Sequence, residues 1–233
     1  MNTTIYLIRH SEPFKVHRGN VRTNETILLE NEKSPLSING EKIAERFATM
    51  EEFKNLDLVY SSNYVRAMAT AKYVANINEL KVNIDDRFNE RIHGINSWDE
   101  LPSNFEINQF EDENYKVGFG ESQKEVQSRM YEALCEIIKE NQGKKIAIVS
   151  HSTAMAFLLK KWCKVYYDKA YTFDDRVFFD GKWQHLETFK LVFNPDNKLI
   201  NIDNIRFRAA KSRPLSVVSI SQSSYLLLSC PVF

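Results

Sequence analysis

The chain has 233 residues, among them 31 basic and 31 acidic side chains, so its formal net charge at pH 7 is zero. This length suits one sizeable α/β domain that can bury a core without disulfides or structural metals. The balanced charge argues against nucleic acid or an anionic membrane surface as the main partner.

The three cysteines, Cys135, Cys163 and Cys230, are isolated and have no CxxC spacing. They therefore indicate neither a disulfide framework nor a zinc site. Cys135 lies on a predicted apolar helix face, where we expect a buried thiol that packs as a small hydrophobe. The sequence shows no signal peptide and no apolar run long enough to cross a bilayer, so we expect a cytoplasmic protein.

The first predicted element is a short apolar strand that ends in polar groups. Residues 5–8 read Ile-Tyr-Leu-Ile, and Arg9, His10, Ser11 and Glu12 follow directly. This pattern is typical of a buried parallel strand, and ligands bind at the carboxyl ends of such strands. Arginine beside histidine at this end suggests an anion held next to a nucleophile, although such a pair after a strand is common by itself.

A long polar segment follows over residues 11–35, and it predicts a loop that is either functional or disordered. Arg18, Asn20 and Arg22 lie in this loop. They could reach an anionic substrate or, equally, form a solvated face.

The next segments predict a helix, a strand and a second helix. Ser37 is a candidate N-cap for a helix over 37–53, and a strand over 56–62 follows. Good helix formers at helical spacing then predict a helix over 64–77. Arg66 lies in its first turn, where unpaired N–H groups and the helix dipole favour an anion, but an ordinary surface role for this cation stays open.

A short strand over 81–84 precedes Glu90. Residues 95–120 are acidic, irregular and dotted with aromatic side chains, and we interpret them as an excursion that covers a site. A capping box then begins a helix over 122–141. The strongest strand signal, over 145–150, ends at His151, and a short helix over 153–163 follows.

The C-terminal part of the chain has a different pattern. Turn signals at Asp180-Gly181 and 195–197 predict antiparallel edge strands over 186–193 and 199–207. Residues 208–233 are Ser-rich and apolar, and three interpretations of this tail stay open: an extra strand, a loose tail or a segment foreign to the fold.

The repeated strand–helix order predicts an α/β fold with a mostly parallel sheet. We expect a single domain over residues 1–207, with an antiparallel edge near its C-terminal end.

Six groups of chemically distinctive residues occur in a characteristic order along the chain. They are Arg9-His10-Ser11-Glu12; Leu36-Ser37 with Gly40; Ser61-Ser62 with Arg66-Ala67 and Thr70-Ala71; Glu90 with Gly94; Gly120-Glu121-Ser122 with Val126 and Arg129; and Val149-Ser150-His151. Over residues 3–207 this set resembles the signatures of the histidine phosphatase superfamily, the phosphoglycerate mutase-like proteins. The resemblance implies a three-layer α/β/α fold.

The resemblance also implies roles for five residues. His10 would attack phosphorus and form a phosphohistidine, which divides one difficult displacement into two easier ones. Arg9, Arg66 and His151 would bind the phosphoryl oxygens, and Glu90 would act as the acid for the leaving oxygen and then activate water. Because arginine donors can stabilise the transition state as Mg²⁺ does elsewhere, we expect no metal and no cofactor.

The chain departs from the family pattern at Ser11 and Ser152, which stand where the family has glycine. A side chain narrows the approach of the backbone to phosphate. Each hydroxyl could instead donate a hydrogen bond to phosphate, so we place both serines, with Arg18 and Asn20, among the candidate substrate-binding residues. We give Glu12 a structural role.

Three hypotheses remain for the function. The first is a phosphatase that acts on a small phosphorylated metabolite. The second is a phosphoglycerate mutase, but the family's mutases carry tryptophan in the loop after the first signature, and residues 11–35 contain none. The third is a member that binds phosphorylated ligands without turnover. The sequence leaves the oligomeric state open, and a homodimer is one option.

Overall fold

The computed structural model describes residues 1–14 and 27–207, and its centre is a six-stranded sheet. The six strands of this sheet are β1 (Thr3–Arg9), β2 (Leu58–Ser61), β3 (Val82–Ile84), β4 (Lys145–Ser150), β7 (Thr188–Phe193) and β8 (Leu199–Ile205). Strands β5 (Tyr171–Phe173) and β6 (Arg176–Phe179) form a separate two-stranded sheet. The helices are α1 (Ile27–Lys33), α2 (Ile38–Ala48), α3 (Val65–Ile77), α4 (Phe105–Glu111), α5 (Gln123–Glu140) and α6 (Ser152–Leu159).

The strand order of the main sheet is β3-β2-β4-β1-β7-β8. Strands β3, β2, β4 and β1 are mutually parallel. Strand β7 pairs antiparallel with both of its neighbours, β1 and β8. In the β1–β4 pair, Arg9 lies opposite Ser150. The residues that follow, His10 and His151, therefore leave the sheet side by side at its carboxyl edge.

Helices cover both faces of the sheet, which confirms the three-layer prediction. Ile5 and Leu7 of β1 pack in the core on the side of α5 and α6. Tyr6 and Ile8 alternate with them and pack on the side of α2 and α3. Because both faces of β1 are buried, its sequence is a continuous apolar run and not an alternating one.

The predicted helix starts are confirmed. Ser37 caps α2, and its hydroxyl accepts the Gly40 N–H. Ser122 and Glu125 form the capping box at the start of α5. Two predicted helices end early: α2 stops at Ala48 before a separate 3₁₀ turn over Glu51–Phe53, and α6 stops at Leu159.

The predicted hairpin turn at Asp180-Gly181 is wrong. The β5–β6 hairpin turns at Asp174 and Asp175, which both have positive φ, as a tight hairpin turn with two left-handed central residues requires. Aspartate tolerates this conformation because its short side chain bonds locally. The predicted antiparallel edge near the C-terminal end is confirmed, with β7 paired to β1 and β8 as the outermost strand on that side of the sheet.

Two further predictions need correction. Residues 27–33 form α1, so the predicted 11–35 loop contains a helix. Cys135 is exposed, because Leu134 and Ile138 form the inward stripe of α5 and position 135 falls outside it, whereas Cys163 is buried. The predictions for Arg18, Asn20 and Arg22 and for the 208–233 tail lie outside the described residues.

Gly40 allows a close backbone contact between α2 and the segment after β1. A Cβ atom at this position would lie 2.1 Å from the Glu12 carbonyl oxygen. We therefore expect Gly40→Ala to lower the free energy of unfolding by about 1–3 kcal/mol through overpacking, measured by urea denaturation. The control is Glu45→Ala at an exposed position of α2, with an expected change within about 0.5 kcal/mol. Equal stability of Gly40→Ala and the unmodified chain would contradict the prediction.

Candidate active site

The two histidines at the strand ends meet in space. The ring centroids of His10 and His151 are 5.1 Å apart, and the two residues are 5% and 0% exposed. The parallel register of β1 and β4 produces this pairing, since each histidine directly follows its strand. The two histidines that were predicted to act together therefore lie in one site.

The hydrogen bonds of His10 determine which ring nitrogen carries the proton. His10 Nδ1 lies 2.7 Å from the backbone oxygen of Ser11. A carbonyl oxygen only accepts hydrogen bonds, so Nδ1 carries the proton and donates it. Nε2 therefore has a free lone pair, which accepts a hydrogen bond from Arg66 Nε at 3.0 Å. This nitrogen can act as a nucleophile.

Arg66 connects the two histidines. Its Nη2 donates to His151 Nδ1 at 3.2 Å, and its Nη1 donates to the backbone oxygen of Asn31 in α1. The side chain is only 6% exposed, and its guanidinium lies over the Tyr64 ring. The first turn of α3 places Arg66 here, so the surface interpretation of this arginine is wrong.

The electrostatic environment keeps both imidazoles neutral. Burial, followed by the charges of Arg66 and Arg9, holds the pKa of His10 well below its ordinary value. Burial, followed by Arg66 and His10, does the same to the pKa of His151. A neutral imidazole is the form that can attack phosphorus.

Arg9 lies between the histidine pair and an open cleft. Its Nε is buried and has no hydrogen-bond partner among the described residues. Arg9 lines a cavity of about 450 Å³ together with Ser152, Thr153 and Glu106. Glu106 belongs to α4, so the predicted 95–120 excursion contributes to this cavity.

The Glu90 carboxylate accepts hydrogen bonds from backbone N–H groups at the start of α6. It accepts backbone N–H groups from Ala154 at 2.9 Å, from Thr153 at 3.4 Å and from Arg91 at 3.0 Å. Its negative charge also opposes the lowering of the pKa values of Arg9 and Arg66 by burial. Glu90 therefore lies within electrostatic range of both cations.

Comparisons with known proteins agree with this geometry. The sequence profile of the histidine phosphatase superfamily (branch 1) matches residues 5–175. This chain belongs to the histidine phosphatase superfamily.

Three relatives of different kinds illustrate the match. A probable phosphoglycerate mutase of Escherichia fergusonii is 26% identical over 167 residues, which are 66% of this chain and 72% of that protein. Phosphoserine phosphatase 1 of Hydrogenobacter thermophilus is 32% identical over 129 residues, 52% of this chain and 60% of that protein. The structure of a mycobacterial glucosyl-3-phosphoglycerate phosphatase has the same fold, with a TM-score of 0.64, 17% identity and coverage of 90% of this chain and 100% of that one.

The family signature around Glu121 and Arg129 has a structural explanation here. Arg129 Nε donates to Glu121 at 2.7 Å, and its Nη1 donates to the backbone oxygens of Arg87 and Asn89 at 2.8 and 3.0 Å. Its Nη2 also reaches the backbone oxygen of Glu90 at 3.3 Å. This ion pair fixes the loop that carries Glu90.

Ser11 departs from the family pattern for a structural reason. Its hydroxyl donates to the Gly40 carbonyl at 2.7 Å, its N–H donates to Thr70 Oγ1 at 3.0 Å, and the residue is fully buried. The expectation that this hydroxyl donates to phosphate is therefore wrong, because it is already bonded within the core. Ser152, by contrast, lines the cleft beside Arg9.

Two further polar residues near the site, Glu12 and His93, have structural contacts. Glu12 accepts the Ser37 hydroxyl at 2.6 Å and the Asn39 amide at 2.9 Å. Burial and Arg91 lower the pKa of His93 to about 4. Residues 1–14 and 27–207 contain no cluster of three or more metal-ligating side chains, and no helix in these ranges is long and apolar enough to cross a membrane.

Sequence reasoning missed three residues near the site. Ser62 contacts His151 Nε2 at 2.8 Å, and the Ser-Ser pair before Arg66 was the available signal. The charge of His185 contributes to the lowered pKa of His10. Asn31 contacts Arg66 through its backbone, so no side-chain pattern could have indicated it.

The neutral histidines predict a pH dependence of stability. Below about pH 6.5 the unfolded chain takes up protons at His10 and His151, whereas the folded chain does so only at the lower folded pKa values. The free energy of unfolding therefore decreases as the pH is lowered through this window, by up to about 1.36 kcal/mol per pH unit for each histidine. Nitrogen NMR should show both rings neutral at about pH 6, with the urea-unfolded chain as control. Folded-state titration at the ordinary pKa would contradict the prediction.

Proposed function

We propose that this chain is a metal-independent phosphatase that hydrolyses small phosphate monoesters through a phosphohistidine on His10. The observation that carries the proposal is the unprotonated Nε2 of His10, which lies 3.0 Å from Arg66 Nε. The ring of His151 lies beside that of His10, with centroids 5.1 Å apart, and the charge of Arg9 acts on the same imidazole. Phosphatases among the relatives support the reaction class.

In the first step, the Nε2 lone pair of His10 forms the N–P bond as the bond from phosphorus to the leaving oxygen breaks. Arg66 Nε turns from His10 to a phosphoryl oxygen, and Arg9 binds a second one. The phosphorylated ring keeps its Nδ1 proton and becomes cationic. The Ser11 carbonyl, 2.7 Å from Nδ1, stabilises that charge.

The protonated form of Glu90 is the proposed acid for the leaving oxygen, and the carboxylate that this step leaves behind is the base for the attacking water. Its contact to the Thr153 N–H is long, at 3.4 Å, so the oxygen in that contact is the one more easily released to a substrate. In the second step, water attacks phosphorus, gives its proton to Glu90 and returns the electron pair of the N–P bond to Nε2. Inorganic phosphate then leaves.

The cleft beside Arg9 is the proposed site for the rest of the substrate. Phe110, Tyr167 and Trp183 line it together with the polar side chains Glu106 and Lys182. Its size, about 450 Å³, suits a small phosphorylated metabolite. We propose no nucleic-acid or membrane partner, and a homodimer remains an option for the quaternary state.

A phosphoglycerate mutase is the second candidate, because one relative is a probable mutase. A mutase must exclude water while a bisphosphate reorients in the site. The absence of tryptophan from residues 11–35 favours hydrolysis.

The assay for the proposed function uses an aryl phosphate with and without a chelator. We expect turnover that survives the chelator and falls at least about 10³-fold in His10→Ala, because the nucleophile is lost. His93→Asn is the matched control. His93 accepts a hydrogen bond from Arg91, and the side-chain oxygen of asparagine can accept the same bond, so turnover of the aryl phosphate should remain.

Two other results would contradict the proposal. Absence of turnover between pH 5 and 8 would favour a member that only binds phosphorylated ligands. Conversion of 3-phosphoglycerate to 2-phosphoglycerate without release of phosphate would favour the mutase.

A comparison of leaving groups tests the role of Glu90. We expect Glu90→Gln to lower kcat/KM, which reports the first step alone, about 10²–10⁴-fold for an alkyl phosphate, whose leaving oxygen needs a proton. For 4-nitrophenyl phosphate, whose leaving group is stable as an anion, the loss should be much smaller. Glu111→Gln, at an exposed position of α4, is the control. Equal losses for the two substrates would rule out Glu90 as the acid.

A further inference from the structure

Ser62 contacts the second histidine on the side away from Arg66. Its Oγ lies 2.8 Å from His151 Nε2 and also accepts the Tyr64 N–H at 3.3 Å. Both Ser62 and His151 are completely buried. The pair is thus fixed inside the protein and shielded from solvent.

The tautomer of His151 follows from its two contacts. Arg66 Nη2 lies 3.2 Å from His151 Nδ1, and a guanidinium can only donate hydrogen bonds. Nδ1 therefore carries a lone pair, and the single proton of the neutral ring is on Nε2. Ser62 Oγ accepts that proton, so the serine and the arginine select the same tautomer.

This tautomer is unsuited to binding a phosphate dianion. When Arg66 turns to a phosphoryl oxygen, Nδ1 faces the phosphate with a lone pair, and phosphate oxygens are also acceptors. A neutral His151 cannot rotate its proton to that side without leaving the Ser62 hydrogen bond. An attractive contact needs an additional proton on Nδ1.

We propose that Ser62 is a positioning residue that makes phosphate binding proton-coupled, because it holds the Nε2 proton of His151 and leaves Nδ1 to be protonated with the ligand. The bound form is then an imidazolium that donates from Nε2 to Ser62 and from Nδ1 to a phosphoryl oxygen. This inference rests on the proposed function and describes how the same site accepts its phosphoryl group.

The groups around His151 explain why the proton arrives with the ligand and not before it. Arg66 on α3, Arg9 and His10 at the end of β1, and Arg129 on α5 all disfavour a positive ring. Tyr64 contacts the ring edge as a neutral phenol, and Glu90 at the start of α6 is the neighbouring carboxylate. A phosphate dianion adds the negative charge that compensates an imidazolium.

The proton balance depends on the ionisation of the ligand. Below about pH 6, the second pKa of a phosphate monoester, the monoanion transfers its own proton to Nδ1. Above that pH the ligand is a dianion, and one proton must come from solvent. The net uptake on binding therefore rises toward one proton per ligand as the pH increases. Because that proton becomes scarcer in solution, kcat/KM falls over the same pH range.

Calorimetry with inorganic phosphate measures this uptake without any turnover. Titrations at about pH 8 in two buffers of different ionisation enthalpy should give about one proton bound per phosphate. Ser62→Ala should reduce this number to nearly zero. Without an acceptor for Nε2, a neutral His151 adopts the Nδ1–H tautomer and can donate to phosphate directly.

Two variants separate this role from a loss of packing. Ser61→Ala removes a neighbouring buried hydroxyl that donates to the Ser62 carbonyl at 2.8 Å, and it should keep the proton uptake. Ser62→Thr retains a hydroxyl at this position and should show the proton uptake that Ser62→Ala loses. Nitrogen NMR of the free protein gives an independent readout, because the Nε2–H tautomer of His151 should be present before any ligand is added.

Several outcomes would overturn the inference. An Nδ1–H tautomer of His151 in the unmodified protein would do so, as would phosphate binding without proton uptake or an unchanged proton number in Ser62→Ala. If the aryl phosphate assay shows turnover in any of these cases, the proposed function stands and only the role of Ser62 is lost. Absence of both turnover and phosphate binding would overturn the function and the inference together.

Discussion

The guanidinium of Arg66 is the interaction on which the site depends. It donates to His10 Nε2 and to His151 Nδ1, which lie 56 and 85 positions from Arg66 along the chain. These two contacts require a parallel β1–β4 pair, which brings the histidines together, and a helix start at α3, which aims the arginine between them. The sheet topology and the position at which α3 begins thus act on the same atoms.

Arg66 also determines the protonation of the site. A guanidinium only donates hydrogen bonds, so the ring nitrogen that faces Arg66 must carry a lone pair. The proton of each neutral histidine is therefore on its other ring nitrogen. The Ser11 carbonyl receives one of these protons and the Ser62 hydroxyl the other. The result is a buried site with two guanidiniums and two neutral imidazoles. Its net positive charge is stabilised best by a bound anion. Phosphate matches both the sign of that charge and the donor geometry of arginine.

The sequence predicted those parts of this arrangement that depend on local patterns. Strand ends, the Ser37 cap and the Ser122 capping box are encoded by neighbouring residues, and parallel strands bring their carboxyl ends to one edge. The hydrogen bond from the Ser11 hydroxyl to Gly40 crosses 29 positions and leaves no local pattern. The turn at Asp174 and Asp175 was missed because Asp180-Gly181 is the stronger hairpin signal. Cys135 was misjudged because one helical position separates the inward stripe from the exposed face.

The residues of the proposed catalytic site and those of the proposed substrate cleft belong to different parts of the fold. The histidines, Arg66 and Glu90 are fixed by the sheet and by the Arg129–Glu121 ion pair, whereas the cleft beyond Arg9 is lined by α4 and by residues 181–184. Arg9 connects the two regions electrostatically, since it lines the cleft and its charge lowers the pKa of His10. Under the proposed function, a change in α4 would therefore alter the leaving group that is accepted without moving His10. This division explains why the family's signatures identify the reaction class and leave the substrate undetermined.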